Sequence, residues 1–131
     1  MPGPIHILVV EDDGDDVELL QQALEENHVN FEMDVVRTGD KVISRLETGK
    51  KLPDVIVMDL NLPKMHGKEI LKAVKANKKF APVPVVILTT SSAKEDVKYC
   101  MDNGADEFIT KPSTVEGFNA AVAKIKAAAT K

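Results

Sequence analysis

A chain of 131 residues and 14.3 kDa is about one domain's worth, enough to bury roughly two-thirds of its unfolded surface around one core. Its 44% hydrophobic and 29% charged residues exclude collagen-like, low-complexity and disordered classes. Seventeen basic against twenty-one acidic residues, a net charge of −4, argue against a nucleic-acid footprint spread over the domain and favour protein or cation partners. The lone Cys100 cannot form an internal disulfide, and neither a long apolar run nor a basic-then-apolar leader is present, so a cytoplasmic protein without a membrane span is expected.

After an MPGP leader expected to fray, the first element is the apolar run Ile5 to Val10, which stops abruptly at Glu11. Val17, Leu20 and Leu24 then recur at helical spacing, followed by an alternating strand candidate at 31 to 36 and a helix carrying Val42 and Leu46. A third strand is expected at 54 to 59, then a helix with Ile70, Leu71 and Val74, a fourth strand at 83 to 90, and a helix with Val97 and Met101. The last strand falls at 105 to 111, before an alanine-rich helix with Phe118, Val122 and Ile125. Runs of Val and Ile that are apolar on both faces suit parallel strands covered by helices. The alternation therefore predicts one three-layer α/β domain over 1–131, with its core at about 5–125.

In such folds ligands bind beyond the carboxyl ends of the strands. Asp12 and Asp13 follow the first run and Asp59 ends the third, so parallel strands would bring three carboxylates to one rim, with Glu11 adjoining it. Convergence of like charge is costly, and a hard divalent cation such as Mg²⁺ would offset it. The blander reading is that the acids at 11 to 18 merely favour a helix N-terminus. Thr89, Thr90 and Lys111 end the other two strands, and a hydroxyl and an ammonium facing carboxylates suit the oxygens of a phosphoryl group. Asp59 could then serve as nucleophile while Mg²⁺ and Lys111 neutralise developing charge.

These residues carry a family resemblance. ILVVEDD at 7–13, VIVMDLNLPKMHG at 55–67, ILTTSS at 87–92 and NGADEFITKP at 103–112 resemble the receiver domain of bacterial response regulators over nearly the whole chain. The resemblance implies a doubly wound, flavodoxin-like sheet of five strands in the order 2-1-3-4-5 with five helices. It implies Asp59 as phosphoacceptor and Asp12, Asp13 and the Asn61 carbonyl as Mg²⁺ ligands. Backbone N–H groups near Leu60 and Thr90 would meet the phosphoryl oxygens, Thr89 and Phe108 would form the switch pair, and Lys111 the salt-bridging lysine. A cis Lys111–Pro112 bond is expected too, at a cost of only about 0.5–1 kcal/mol. TTSS at 89–92 and the loop around 75–84 are similar to those of small stand-alone receivers paired with phytochrome-type sensor kinases.

The expected function is phosphoryl acceptance from a histidine kinase or phosphotransfer protein, with a protein-binding surface as output. The helix after Asp13, bearing Val17, Leu20 and Leu24, is where the family docks its kinase, although the same stripe must also cover the core. The face around Lys94, Val97, Lys98 and Met101 is the usual output or homodimer surface. His66 departs from the family loop but lies outside the five-residue site, so little effect on phosphorylation is expected of it, a phosphohistidine relay being the remote alternative; the lysines at 64–79 read as a solvated face. Two rivals stay open: a phosphorylation-independent binding module and a small Mg²⁺-dependent phosphatase.

Overall fold

Strands and helices alternate as the apolar periodicity requires, in a computed structural model that describes residues 3–130. In order these are β1 (Ile5–Val10), α1 (Gly14–Glu26), β2 (Phe31–Val36), α2 (Val42–Thr48) entered through a 3-10 turn at Gly39–Lys41, and β3 (Val55–Met58). There follow α3 (Gly67–Ala76), β4 (Val85–Thr89), α4 (Lys94–Asp102), β5 (Glu107–Thr110) and α5 (Val115–Ala129). The five strands are parallel in the order β2-β1-β3-β4-β5, so the chain reverses its direction of winding between β1 and β3. Met1 and Pro2 of the leader lie outside the described residues.

Because side chains alternate along a strand, each central strand feeds two cores. Ile7, Val9, Val55, Val57, Val86 and Leu88 pack with α1 and α5. Leu8, Val10, Ile56, Met58, Val85 and Ile87 pack with α2, α3 and α4. Val17, Leu20 and Leu24 are buried in the first of these layers, so the packing reading of that stripe holds and the exposed face of α1 is Asp15, Glu18, Gln21, Gln22 and Glu25. Phe80 and Phe118 are core residues, while Phe31 is half-buried. In α4 the buried residue is Cys100, and Met101 is 44% exposed.

Three local expectations are corrected. β3 and β5 end at Met58 and Thr110, which leaves Asp59 and Lys111 one residue beyond their strands. The Lys111–Pro112 bond is trans, as are all peptide bonds among the described residues. Trans is the lower-energy isomer of an X–Pro bond, by about 0.5–1 kcal/mol. The lysines at 64–79 do not all face solvent: Lys75 Nζ donates to the carbonyls of Ala81 and Val83 at 3.0 and 2.7 Å, tying down the turn after α3.

Candidate functional site

The ladder continues one residue past three strands: Glu11 N–H donates to Val36, Asp59 N–H to Val10 and Lys111 N–H to Thr89. These residues therefore keep their strands' alternation, Glu11 following Ile7 and Val9, Asp59 following Val55 and Val57, and Lys111 following Ile109, all on the side covered by α1 and α5. Their side chains meet there. Lys111 Nζ lies 2.6 Å from Glu11 Oε1, 2.7 Å from Asp16 Oδ2 and 3.0 Å from Asp59 Oδ2. Asp59 Oδ1 accepts the N–H of Leu60 at 2.7 Å and of Asn61 at 3.3 Å. So the backbone donor at Leu60 that the sequence assigns to a phosphoryl oxygen bonds the Asp59 carboxylate itself.

Glu11, Asp12 and Asp59 have carboxylate oxygens within 4.8 Å of one another, an all-oxygen set suited to a hard divalent cation. The acid pair in this group is thus Glu11 and Asp12, one residue earlier than the expected Asp12 and Asp13. Asp13 instead caps α1, its Oδ1 accepting the N–H groups of Asp15 at 2.9 Å and Asp16 at 3.3 Å. The alternation Ile7, Val9, Glu11 was the signal that could have identified Glu11. Asp16 as a partner of Lys111 had no such signal, because it comes from the helix rather than from a strand end.

On the opposite side of the sheet, Thr89 continues the row Val85 and Ile87, and Phe108 stands beside Ile87 on β5. The Thr89 hydroxyl is buried without a hydrogen-bond partner, one of two such side-chain groups among the described residues, the other being that of Thr38. Leaving such a hydroxyl unpaired costs about 1–3 kcal/mol, which fits a group whose partner arrives with a ligand. Phe108 is partly buried against the α2–α4 core. The loop after β4 is pinned through Asp96, which accepts from Ser91 Oγ at 2.5 Å and pairs with Lys68 at 2.5 Å. His66 Nδ1 caps α3 by accepting the Lys68 N–H at 3.1 Å, a role the sequence did not suggest.

Burial raises the Glu11 carboxyl from 4.5 to about 7, although its hydrogen bond from Lys111 acts the other way. Burial pulls the Lys111 ammonium down, but its bonds to Asp16, Glu11 and Asp59 prevail and hold it above its ordinary value. Between pH 4.5 and about 7 the folded chain keeps a proton on Glu11 that the unfolded chain has released, so cation-free stability falls as pH rises through that window. The expected loss is on the order of 1–3 kcal/mol. Lys111, raised, contributes stability that is fully present below its unfolded value of 10.5 and fades only above it, outside this window. Urea unfolding in chelator at several pH values checks this, and the same slope in Glu11→Gln would refute the assignment.

A family model described as the response regulator receiver domain matches residues 7–123. The probable methanogenesis regulatory protein FilR2 of Methanothrix harundinacea is 31% identical over 127 residues, covering 94% of this chain and 82% of the relative. The response regulator Rcp1 of Synechocystis is 34% identical over 113 residues, covering 82% and 77%. Among solved structures, the phosphorylated cyanobacterial phytochrome response regulator RcpA superposes with a TM-score of 0.86 at 32% identity, over 95% of this chain and 92% of that one. The Mn²⁺-bound form of Rcp1 gives 0.83 at 32% identity, over 95% and 93%.

Proposed function

The chain belongs to the response regulator receiver family, and from that membership we propose that Asp59 accepts a phosphoryl group from the phosphohistidine of a sensor kinase or phosphotransfer protein. The observation that carries this is the Asp59 carboxylate itself: 7% exposed, hydrogen-bonded by Lys111 and grouped with Glu11 and Asp12. An Asp59 oxygen forms a bond to phosphorus as the phosphorus–nitrogen bond breaks, and the electron pair stays on the imidazole nitrogen, which takes up a proton. The Leu60 and Asn61 N–H groups hold the carboxylate in orientation, and Lys111 meets the transferring group's oxygens.

Glu11, Asp12 and Asp59, with the Asn61 carbonyl, would hold Mg²⁺, a fit supported by their oxygen-only donor set and by Lys111 as the sole cation bonded within it among the described residues. When bound, the ion supplies positive charge for the equatorial phosphoryl oxygens. The unpartnered Thr89 hydroxyl turns to the phosphoryl group and Phe108 follows into the space it leaves, biasing the α4–β5–α5 face. That face, with Met101 exposed, binds the downstream protein or a second copy. We read the chain as one receiver domain with its core at about 5–125, working in the cytoplasm. No helix among the described residues is long and apolar enough to cross a membrane.

Phosphotransfer profiling against the histidine kinases of the same genome tests the reading. One kinase is expected to label the protein rapidly, and labelling is expected to stop in chelator. Sustained turnover of acetyl phosphate without accumulation of a phosphoprotein would favour a small phosphatase instead. Partner affinity unchanged by beryllofluoride with Mg²⁺ would favour a phosphorylation-independent binding module.

A further inference from the structure

An ammonium has three N–H donors, and Lys111 Nζ donates to Asp16 and Asp59 and stands 2.6 Å from Glu11 in an ion pair, so it meets three carboxylates from three separate stretches of the chain. Glu11 and Asp59 also belong to the group that can hold a cation, whereas Asp16 does not. Two of these three carboxylates are therefore claimed by other partners once cation and phosphoryl group are present. Asp16 alone keeps its oxygen for the lysine.

Asp16 is itself held in place from both directions. Its N–H donates to Asp13 Oδ1 at 3.3 Å in the cap of α1, and its neighbours Val17 and Leu20 are anchored in the core. Beneath the carboxylates lies a cavity of only about 10 Å³, floored by Val9, Val17, Leu20, Val57 and Leu88. That is room for one water at most, so the ammonium has no polar refuge below the site. Lys111 is 6% exposed and Asp16 23%, which places the pair where a charge-assisted hydrogen bond is little weakened by solvent.

We propose that Asp16 is a positioning residue that anchors the Lys111 ammonium beside Asp59 while Glu11 and Asp59 exchange their bonds to the lysine for bonds to cation and phosphorus. This rests on the reading of Asp59 as phosphoacceptor. Asp16 touches no reacting atom. It acts through Lys111, keeping one N–H satisfied while another moves from the Asp59 carboxylate to a phosphoryl oxygen. Asp13, next to the cation group but outside it, thereby gains a purpose: its cap sets the first turn of α1 and with it the position of Asp16.

The test uses Asp16→Asn, Asp16→Glu, Lys111→Ala and the Asp16→Asn/Lys111→Ala double variant of the full chain, with two readouts. In the first, phosphorylation by acetyl phosphate with Mg²⁺ is expected to slow about ten- to hundredfold in Asp16→Asn, the worth of one charge-assisted hydrogen bond, and to recover in Asp16→Glu. Asp16→Asn is expected to add nothing in the Lys111→Ala background. An equal loss in that background, or wild-type rates in Asp16→Asn, would overturn the proposal. In the second, made without any cation, the Lys111 ammonium protons are followed by NMR, and they are expected to be protected from exchange in the wild type and to lose that protection in Asp16→Asn. Retained protection overturns the proposal. If the wild type accepts no phosphoryl group, the phosphoacceptor reading fails while the NMR readout still decides whether Asp16 anchors Lys111.

Discussion

Asp59→Asn is expected to lose phosphoryl acceptance altogether, by on the order of a thousandfold or more, because a carboxamide supplies neither the nucleophilic oxygen nor the anion. The same change should leave the fold intact. The carboxamide keeps an oxygen for the Leu60 and Asn61 N–H groups and relieves the crowding of carboxylates around one ammonium. Cation-free stability should therefore hold or rise, by about 1 kcal/mol. Intact mass after incubation with a cognate kinase, set beside a urea unfolding curve, reads both quantities. Loss of acceptance identifies the acceptor only when folding is retained, so the two readouts must move apart. A phosphoryl group appearing on the Asp59→Asn variant would mean that another carboxylate, such as Asp12, is the acceptor.

The second large effect is on stability. A Cβ on Gly39 would stand 2.1 Å from the Met65 carbonyl oxygen and 2.8 Å from Ile70 Cδ1. The nearer contact is backbone, in the loop that leads from Asp59 to α3, and that loop is further tied by the Gly39 N–H to the Pro63 carbonyl at 3.1 Å. Lys64 within it already adopts a φ of 75°. The loop cannot yield without moving α3, so Gly39→Ala is expected to cost about 2–4 kcal/mol. The control is Gly14→Ala, whose Cβ would meet only Arg37 Nη1 at 3.9 Å and whose site begins a helix. That variant should be neutral or slightly stabilising. Equal behaviour of the two variants in urea would disprove the close approach. Because the displaced loop holds Asn61 and its neighbours, Gly39→Ala should also slow phosphorylation, with no change in any side chain of the site.

Much of this protein was readable in its sequence. Strand runs that are apolar on both faces require a covered parallel sheet, and the alternation with helical stripes then leaves few topologies. That reasoning, with the family resemblance, reached the order of the strands and the meeting of Asp59 with Lys111, whereas Thr89 stands on the other side of the sheet. It failed where proximity along the chain was taken for proximity in space. Asp13 lies next to the cation group in sequence, yet its carboxylate turns to the amides of α1, whereas Glu11 continues the row of Ile7 and Val9 and meets Lys111.

The sequence by itself determined which chemical groups are present and, through the period of two along each strand, which side of the sheet they occupy. The tertiary structure alone decided their partners. Lys111 finds Asp16 across ninety-five residues because α1 packs over β1 and β3, Thr89 is left with an unpaired hydroxyl because the α2–α4 core seals it from water, and Gly39 lies against the Met65 carbonyl because two loops cross there. Those relations depend on how layers pack, and packing is set by contacts between residues distant in the chain, which no local pattern encodes.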